Sequence, residues 1–197
     1  MKKVLITGFE PFGGESINPS WEAVSMLPDV VGDFSLIKLQ LPTIYREASK
    51  LVISAAESES PDVVLCIGQA GGRNSIMPEY VGLNVRSAKI ADNRGLILEG
   101  ERIDINGPDG LFSTAPVQLM VDKIRSIGLP ANVSYHAGTF VCNDVLYSLL
   151  NHFRNSSVAV GFIHVPFLPE QALDGQPSLT LCQIVDALQA AILGMEA

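Results

Sequence analysis

The sequence lacks a long uninterrupted apolar segment, although 47% of its 197 residues are hydrophobic. A membrane-spanning helix needs about 18 to 20 such residues in a row. The apolar run at the N-terminus is broken after a few residues by Gly8, Glu10 and Pro11, which leaves it too short for a signal peptide. The sequence therefore predicts a cytoplasmic protein without a membrane partner.

Basic residues and cysteines are also scarce. There are 13 Lys and Arg residues against 21 Asp and Glu residues, and the basic residues form no stripe, which disfavours nucleic acid as a partner. Three cysteines disfavour a disulfide framework and suit a reducing compartment. Because no His, Cys and carboxylate cluster has ligand spacing, we expect neither a metal ion nor another cofactor.

Apolar runs rich in β-branched residues alternate with segments of helical periodicity. This order predicts one α/β domain over residues 1–197, a three-layer sandwich with a mostly parallel central sheet flanked by helices. The predicted strands cover residues 3–9, 34–41, 63–68, 131–137 and 157–165. The stretch from Arg73 to Leu111 breaks the alternation and is predicted to be an extended arm with turns.

The helical segments carry apolar residues on one face. One opens at Asn18-Pro19-Ser20, one starts at Thr43, and the last is capped by Ser178. The remaining predicted helices span Pro116 to Ile127 and the residues after Cys142.

Cys142 lies where a predicted strand passes through small residues into a helix. In the first helical turn, the helix dipole and unpaired N–H groups favour a thiolate and can hold an oxyanion. The alternative is a small buried apolar residue, which is the ordinary role of a free cysteine. Cys66, inside an apolar run, and Cys182, on the last helix, fit structural positions better.

A cysteine nucleophile needs a base, and the chain has three histidines. His136 lies close to Cys142 along the chain, and His152 falls late in a helix, where a surface position is usual. His164 ends an apolar strand at the point where a site loop begins in α/β sheets. The alternative is a buried histidine bonded to backbone.

Two glycine-rich loops follow predicted strands, at residues 8–14 and 68–73. Neither contains a dinucleotide or Walker pattern, so the signal for phosphate binding is weak. Phe9 and Phe12 flank a proline in the first loop and could form a slot for a flat ring. They could equally be core phenylalanines.

These segments together resemble the motifs of the pyroglutamyl peptidases of the cysteine class, also called pyrrolidone-carboxyl peptidases. The matching segments are GFEPFGG (8–14), GQAGGR (68–73) followed by Glu79 and Asn84, AGTFVCN (137–143) and GFIHVPFLPEQ (161–171). Further similarities lie at 91–93, 107–114 and 177–181, so the resemblance spans nearly the whole chain in one order.

The resemblance implies an omega peptidase that removes N-terminal pyroglutamate from peptides through a thioester acyl-enzyme. It implies Cys142 as nucleophile, His164 as base and Glu79 as the carboxylate that orients the histidine. Phe9 and Phe12 become walls of the lactam pocket, with Asn18 and Gln69 as polar contacts. It also implies a homo-oligomer, a tetramer or a dimer.

The chain departs from the family pattern around Glu79. Met77 and Tyr80 replace a hydroxyl residue and a basic residue, and Lys89 stands where the family has an arginine. Lysine keeps the charge for oxyanion or electrostatic support but lacks the planar fork of donors. These changes keep two alternatives open: a catalytically silent pyroglutamyl-binding homologue, and a nucleoside-phosphorylase-like or phosphate-binding enzyme.

Overall fold

A computed structural model describes residues 1–173 and 175–196, and strands and helices alternate through this part of the chain. The strands are β1 (Lys2–Phe9), β2 (Val30–Val31), β3 (Phe34–Leu41), β4 (Val63–Gln69), β5 (Met77–Pro78), β6 (Val81–Leu83), β7 (Gly110–Phe112) and β8 (Ala159–Val165). The helices are α1 (Pro19–Met26), α2 (Glu47–Glu59), α3 (Val117–Ser126), α4 (Val141–His152) and α5 (Leu181–Leu193).

The central sheet has the strand order β2-β3-β1-β4-β8-β5. Strands β3, β1, β4 and β8 pair in parallel, and the short edge strands β2 and β5 are antiparallel to their neighbours. Strands β6 and β7 form a separate two-stranded ribbon. The carboxyl ends of β1, β4 and β8 therefore lie side by side at one end of the sheet, which is where sites in open α/β folds lie.

Helices cover both faces of the sheet. Helix α5 contacts both α1 and α3 on one face, and α2 packs with α4 on the other. Alternate strand residues divide accordingly, with Val4 and Ile6 in the first apolar layer and Leu5 in the second. The predicted three-layer α/β sandwich with a mostly parallel sheet is thus confirmed.

The predicted strand at 131–137 is wrong. Only Ala131 and Ser134 form isolated bridges there, to Ile76 and Glu79. The partner segment contains Pro78, which has no N–H to donate to a ladder. The segment consequently hydrogen-bonds to the sheet edge on either side of this position without forming a continuous ladder.

Helix α2 begins at Glu47 and not at Thr43. Two buried carboxylates hold the preceding residues out of the helix: Asp92 accepts the N–H of Tyr45 and Asp144 accepts that of Arg46. Arg46 has a φ of 64°, outside the helical region. Within the described ranges, no helix has the length and apolar character needed to cross a membrane.

The N-cap residue of the last helix, α5, is Thr180. The prediction that Ser178 caps this helix is therefore also wrong. Thr180 Oγ1 accepts the Gln183 N–H at 3.3 Å, and Gln183 Oε1 accepts the Thr180 N–H at 2.9 Å. This reciprocal pair is a capping box. Ser178 instead forms an isolated bridge with Phe167.

Replacing Thr180 with alanine should lower the free energy of unfolding by about 1 kcal/mol, because the Gln183 N–H loses its acceptor. Urea denaturation measures this change. Ser178→Ala is the matched control and should change stability by less than about 0.5 kcal/mol. A larger loss for Ser178→Ala than for Thr180→Ala would contradict this assignment.

Candidate active site

A cavity of about 190 Å³ lies at the carboxyl ends of β1, β4 and β8. Its lining residues are Phe9, Phe12, Asn18, Thr43, Gln69, Ala70, Arg73, His136, Ala137, Gly138, Phe140, Cys142 and His164. Depressions of about 500 and 550 Å³ lie beside Tyr135 and Tyr147. Neither of those is lined by Cys142 or His164, so size does not identify the reactive site here.

Cys142 is the second residue of α4, as its position in the sequence predicted. Phe140 is the N-cap residue, with an extended backbone that turns into the helix at Val141. The first N–H groups of a helix have no acceptor within the helix. Cys142 therefore stands beside free donors that can bind an oxyanion.

Gly68 makes room for the Cys142 sulfur. A Cβ atom at position 68 would lie 2.9 Å from Cys142 Sγ and 2.7 Å from the Phe162 ring. Gly68 is also paired with His164 in the register of β4 and β8. Because neighbouring strands lie about 4.8 Å apart, this pairing brings the imidazole and the sulfur to the same part of the cavity.

Glu79 and His164 form a buried hydrogen-bonded pair. His164 Nδ1 lies 2.6 Å from Glu79 Oε1, and both side chains are almost completely buried. The Glu79 N–H also donates to the Phe162 carbonyl at 2.8 Å, two residues before His164 on the same strand. The carboxylate is thus fixed by backbone to the strand that carries its partner.

Arg73 is a second partner of Glu79. Its Nη1 donates to the same Oε1 atom at 2.8 Å. Burial opposes ionisation of Glu79, but the His164 contact and the Arg73 charge together hold its pKa below the ordinary value. An ionised carboxylate only accepts, so His164 Nδ1 carries the hydrogen and Nε2 is left as the basic nitrogen.

Burial lowers the pKa of His164 below its ordinary value, and the Arg73 charge acts in the same direction against the Glu79 carboxylate. Burial raises the pKa of the Cys142 thiol to about 12, and the negative charge of Glu79 adds to this effect. Both shifts favour the neutral forms of the thiol and the imidazole, and they oppose the stabilisation of a thiolate that the helix start offers.

Aromatic rings form one side of the cavity. Phe12 and Phe140 lie with ring centroids 5.9 Å apart, and Phe140 also packs edge-on against Tyr45 at 5.4 Å. Phe9 lines the cavity while its buried ring packs on Phe162 at 6.3 Å. Phe12 and Phe140 are in contact with each other, so together they form one aromatic wall of the cavity.

The side-chain amides of Asn18 and Gln69 differ in how many of their polar groups are already hydrogen-bonded within the protein. Asn18 Oδ1 accepts the N–H and hydroxyl of Ser20, and its Nδ2 donates to the Glu10 carbonyl at 3.0 Å. Gln69 Oε1 accepts from Gln171 Nε2 at 3.2 Å. This contact places the Gln69 carbonyl toward Gln171 and leaves its NH₂ group as a donor for the cavity.

A buried ion pair supports the helix that carries Cys142. Asp144 is fully buried in the first turn of α4 and accepts from Arg86 Nε at 2.7 Å. Arg86 Nη1 also donates to Glu101 Oε1 at 2.8 Å. Two of these three groups, Arg86 and Glu101, come from the arm at 73–111, which therefore braces α4.

Lys89 is exposed and is not among the residues that line the cavity. The cation in contact with Glu79 is Arg73, at the end of the GQAGGR motif. Sequence reasoning also missed Thr43, His136 and Phe140 as lining residues. Phe140 could have been predicted, since it lies in the same motif as Cys142, two residues before it. Thr43 could not, because its segment is predicted to be helical.

Comparisons with known proteins identify relatives over nearly the full length of the chain. A family model described as pyroglutamyl peptidase matches residues 2–196. A pyrrolidone-carboxylate peptidase of Escherichia fergusonii is 48% identical, with 98% of this chain and 92% of that protein covered. One from Brevibacillus brevis is 45% identical at the same coverages.

Solved structures of proteins with the same family names are similar to this chain. Pyroglutamyl peptidase I from Bacillus amyloliquefaciens superposes with a TM-score of 0.95 at 43% identity, covering 99% of this chain and 97% of that one. The pyrrolidone carboxyl peptidase from Thermococcus litoralis gives a TM-score of 0.94 at 33% identity, covering 99% and 93%. The similarity thus includes both fold and sequence.

Arg73→Met should raise the pKa of His164, because it removes a positive charge that disfavours the imidazolium form. The wild-type His164 resonance should titrate below pH 6.5, and the variant's midpoint should be higher. An NMR titration of the imidazole resonances measures both.

Arg102→Met is the matched control, since Arg102 pairs with Asp109 at an exposed position. It should leave the His164 midpoint unchanged. A midpoint that falls in Arg73→Met, or moves equally in both variants, contradicts the assigned role of the Arg73 charge.

Proposed function

The chain belongs to the pyroglutamyl peptidase family, and we propose that Cys142, His164 and Glu79 are its catalytic triad. It is a cysteine-type omega peptidase that removes N-terminal pyroglutamate from peptides. The observation that carries the triad is the 2.6 Å bond between His164 and Glu79 beside a cavity that Cys142 also lines. The phosphate-binding alternative is not favoured by this family membership.

The first chemical step is attack of Cys142 Sγ on the carbonyl carbon of the pyroglutamyl residue. Because burial raises the pKa of the thiol, His164 Nε2 takes the thiol proton as the S–C bond forms. The Glu79 carboxylate stabilises the imidazolium and keeps Nδ1 protonated. N–H groups at the start of α4 stabilise the developing oxyanion.

The tetrahedral intermediate then collapses. His164 returns its proton to the amine of the next residue, the C–N bond breaks, and a thioester on Cys142 remains. A water molecule, deprotonated by His164, attacks this thioester and releases pyroglutamate. The thiol regains its proton, so the enzyme ends as it began.

Substrate recognition is proposed to depend on a flat apolar slot with few polar groups. A pyroglutamyl lactam has no charged amine, so aromatic walls from Phe9, Phe12 and Phe140 suit its ring. The Gln69 NH₂ group is a donor for the lactam carbonyl, and Asn18 retains one amide hydrogen for a second contact. The cavity volume of about 190 Å³ suits a small ring and not a long side chain.

We propose that residues 1–197 form a single catalytic domain that acts in the cytoplasm. Three free cysteines support a reducing compartment. Its partners are peptides with an N-terminal pyroglutamate, and the acidic charge of −8 argues against nucleic acid.

We also propose a homo-oligomer, a dimer or tetramer, in which an exposed aromatic patch is buried. The patch consists of Tyr80, Phe112 and Tyr135, whose side chains are 40%, 64% and 70% exposed. The Tyr80 ring lies 5.1 Å from that of Phe112 and 6.1 Å from that of Tyr135. Contiguous exposed aromatic surface is typical of protein interfaces.

Cys142→Ser and His164→Gln should each reduce hydrolysis of a fluorogenic pyroglutamyl amide by at least about 10³-fold, because nucleophile and base act as one unit. Glu79→Gln should reduce kcat by about 10²- to 10⁴-fold, through loss of the useful tautomer. A prolyl amide should not be cleaved by any variant.

Matched controls are Cys182→Ser, His152→Gln and Glu99→Gln, which change exposed residues of the same types. All three should retain wild-type rates. Wild-type protein that binds the substrate without cleaving it would indicate a silent homologue and refute the proposed catalysis.

The double variant Phe112→Ser/Tyr135→Ser should shift the protein toward monomer in sedimentation-velocity measurements. Ile105→Ser, at a position 78% exposed outside the patch, should leave the mass unchanged. A monomeric wild type, or an assembly that both variants preserve, would exclude this interface.

A further inference from the structure

The loop that carries Phe12 has few anchors of its own. Residues 10–18 contain no helix or strand, and Gly13 and Gly14 both have positive φ. Phe12 nevertheless has to stay packed against Phe140 if the aromatic wall of the cavity is to keep its shape. Something outside the loop must hold it.

Glu10 connects this loop to its surroundings through both backbone and side chain. Its N–H donates to the Leu41 carbonyl at 2.9 Å, which continues the β1–β3 ladder past the strand end. Its carbonyl accepts from Asn18 Nδ2 at 3.0 Å and from Thr43 Oγ1 at 3.2 Å.

The Glu10 carboxylate joins two further segments. Oε1 accepts the Thr43 N–H at 3.2 Å and Asn93 Nδ2 at 2.8 Å. Asn93 Nδ2 also donates to the Pro11 carbonyl at 2.9 Å. Because both partners of that nitrogen are acceptors, the amide can point only one way.

Asn93 closes the network by donating its own N–H to the Thr43 carbonyl at 3.0 Å. These hydrogen bonds, centred on the Glu10 carboxylate oxygen, connect three segments: residues 9–12, the Thr43 loop and the turn at 91–96. No ion pair involves Glu10 within residues 1–173 and 175–196. The side chain therefore acts here as a hydrogen-bond acceptor, and an uncharged acceptor of the same shape can replace it.

We infer that Glu10 is a positioning residue that sets the Phe12 wall of the lactam slot and so determines binding of the pyroglutamyl ring. This inference rests on the proposed lactam site. Glu10 does not line the cavity, so it acts through Phe12 and Thr43. Its loss weakens binding while the reactive groups of the triad keep their positions.

The test measures binding of pyroglutamide to Cys142→Ala protein by calorimetry, which avoids turnover. Glu10→Ala in that background should raise Kd about tenfold, the scale expected for losing a hydrogen-bonded anchor. Glu10→Gln should stay within about twofold, because its carbonyl oxygen replaces Oε1. Glu15→Ala, an exposed glutamate of the same loop, should have no effect.

Asn93→Ala provides a second variant in case Glu10→Ala does not fold. It should also raise Kd, and the double variant should raise Kd by less than the product of the two single effects, because the two residues share one contact. With Cys142 restored, Glu10→Ala should raise KM and leave kcat within about threefold. A general loss of structure would instead lower the active fraction at unchanged KM.

The outcomes separate the two proposals. If the parent binds pyroglutamide and Glu10→Ala binds it equally well, the role of Glu10 is refuted and the peptidase site stands. If Glu10→Gln is as weak as Glu10→Ala, hydrogen bonding through Oε1 is not the cause. If the parent does not bind pyroglutamide at all, the lactam site and the inference both fail.

Discussion

The parallel pairing of β4 with β8 is the constraint on which the site depends. It sets Gly68 opposite His164 and leaves a space, at a residue without a side chain, that the Cys142 sulfur fills. A one-residue shift in this register would turn His164 to the opposite face of the sheet. The other side of β8 holds Glu79 through the Phe162 carbonyl, so one strand, β8, helps to fix the geometry of three side chains that are distant in sequence.

The charges around that ladder also decide the resting chemistry. Glu79 is buried with two donors on one oxygen, Arg73 and His164, and a second negative charge on Cys142 beside it would be unfavourable. Burial and the Glu79 charge both raise the pKa of the thiol. In the proposed mechanism, proton removal by His164 Nε2 therefore accompanies attack, and the basicity of that nitrogen is the property that this environment controls.

The sequence allowed the fold class and much of the site to be predicted, for identifiable physical reasons. Buried parallel strands are continuous apolar runs, so β1, β3, β4 and β8 were recognised nearly residue for residue. The start of α4 was marked by small residues before a helical pattern, which located Cys142. Failures occurred where a distant contact overrides local preference: Asp92 and Asp144 hold residues 45 and 46 out of α2, and Pro78 prevents residues 131–137 from completing a strand. Arg73 could not be assigned to Glu79 because nothing in local periodicity indicates which carboxylate a loop arginine meets.

The arm at 73–111 shows why a general α/β sheet becomes a particular site here. It supplies Glu79 to the imidazole, Arg86 to the helix start, and Asn93 to the aromatic loop. Each of these contacts joins the arm to a different loop at the carboxyl ends of the strands. Because the arm is one covalent segment, the orientation of His164, the placement of the helix that carries Cys142 and the position of Phe12 are mechanically connected. A substitution that loosens one contact can therefore affect the others through backbone, and double-variant measurements between Arg86 and Asn93 would report how strongly these parts of the site are coupled.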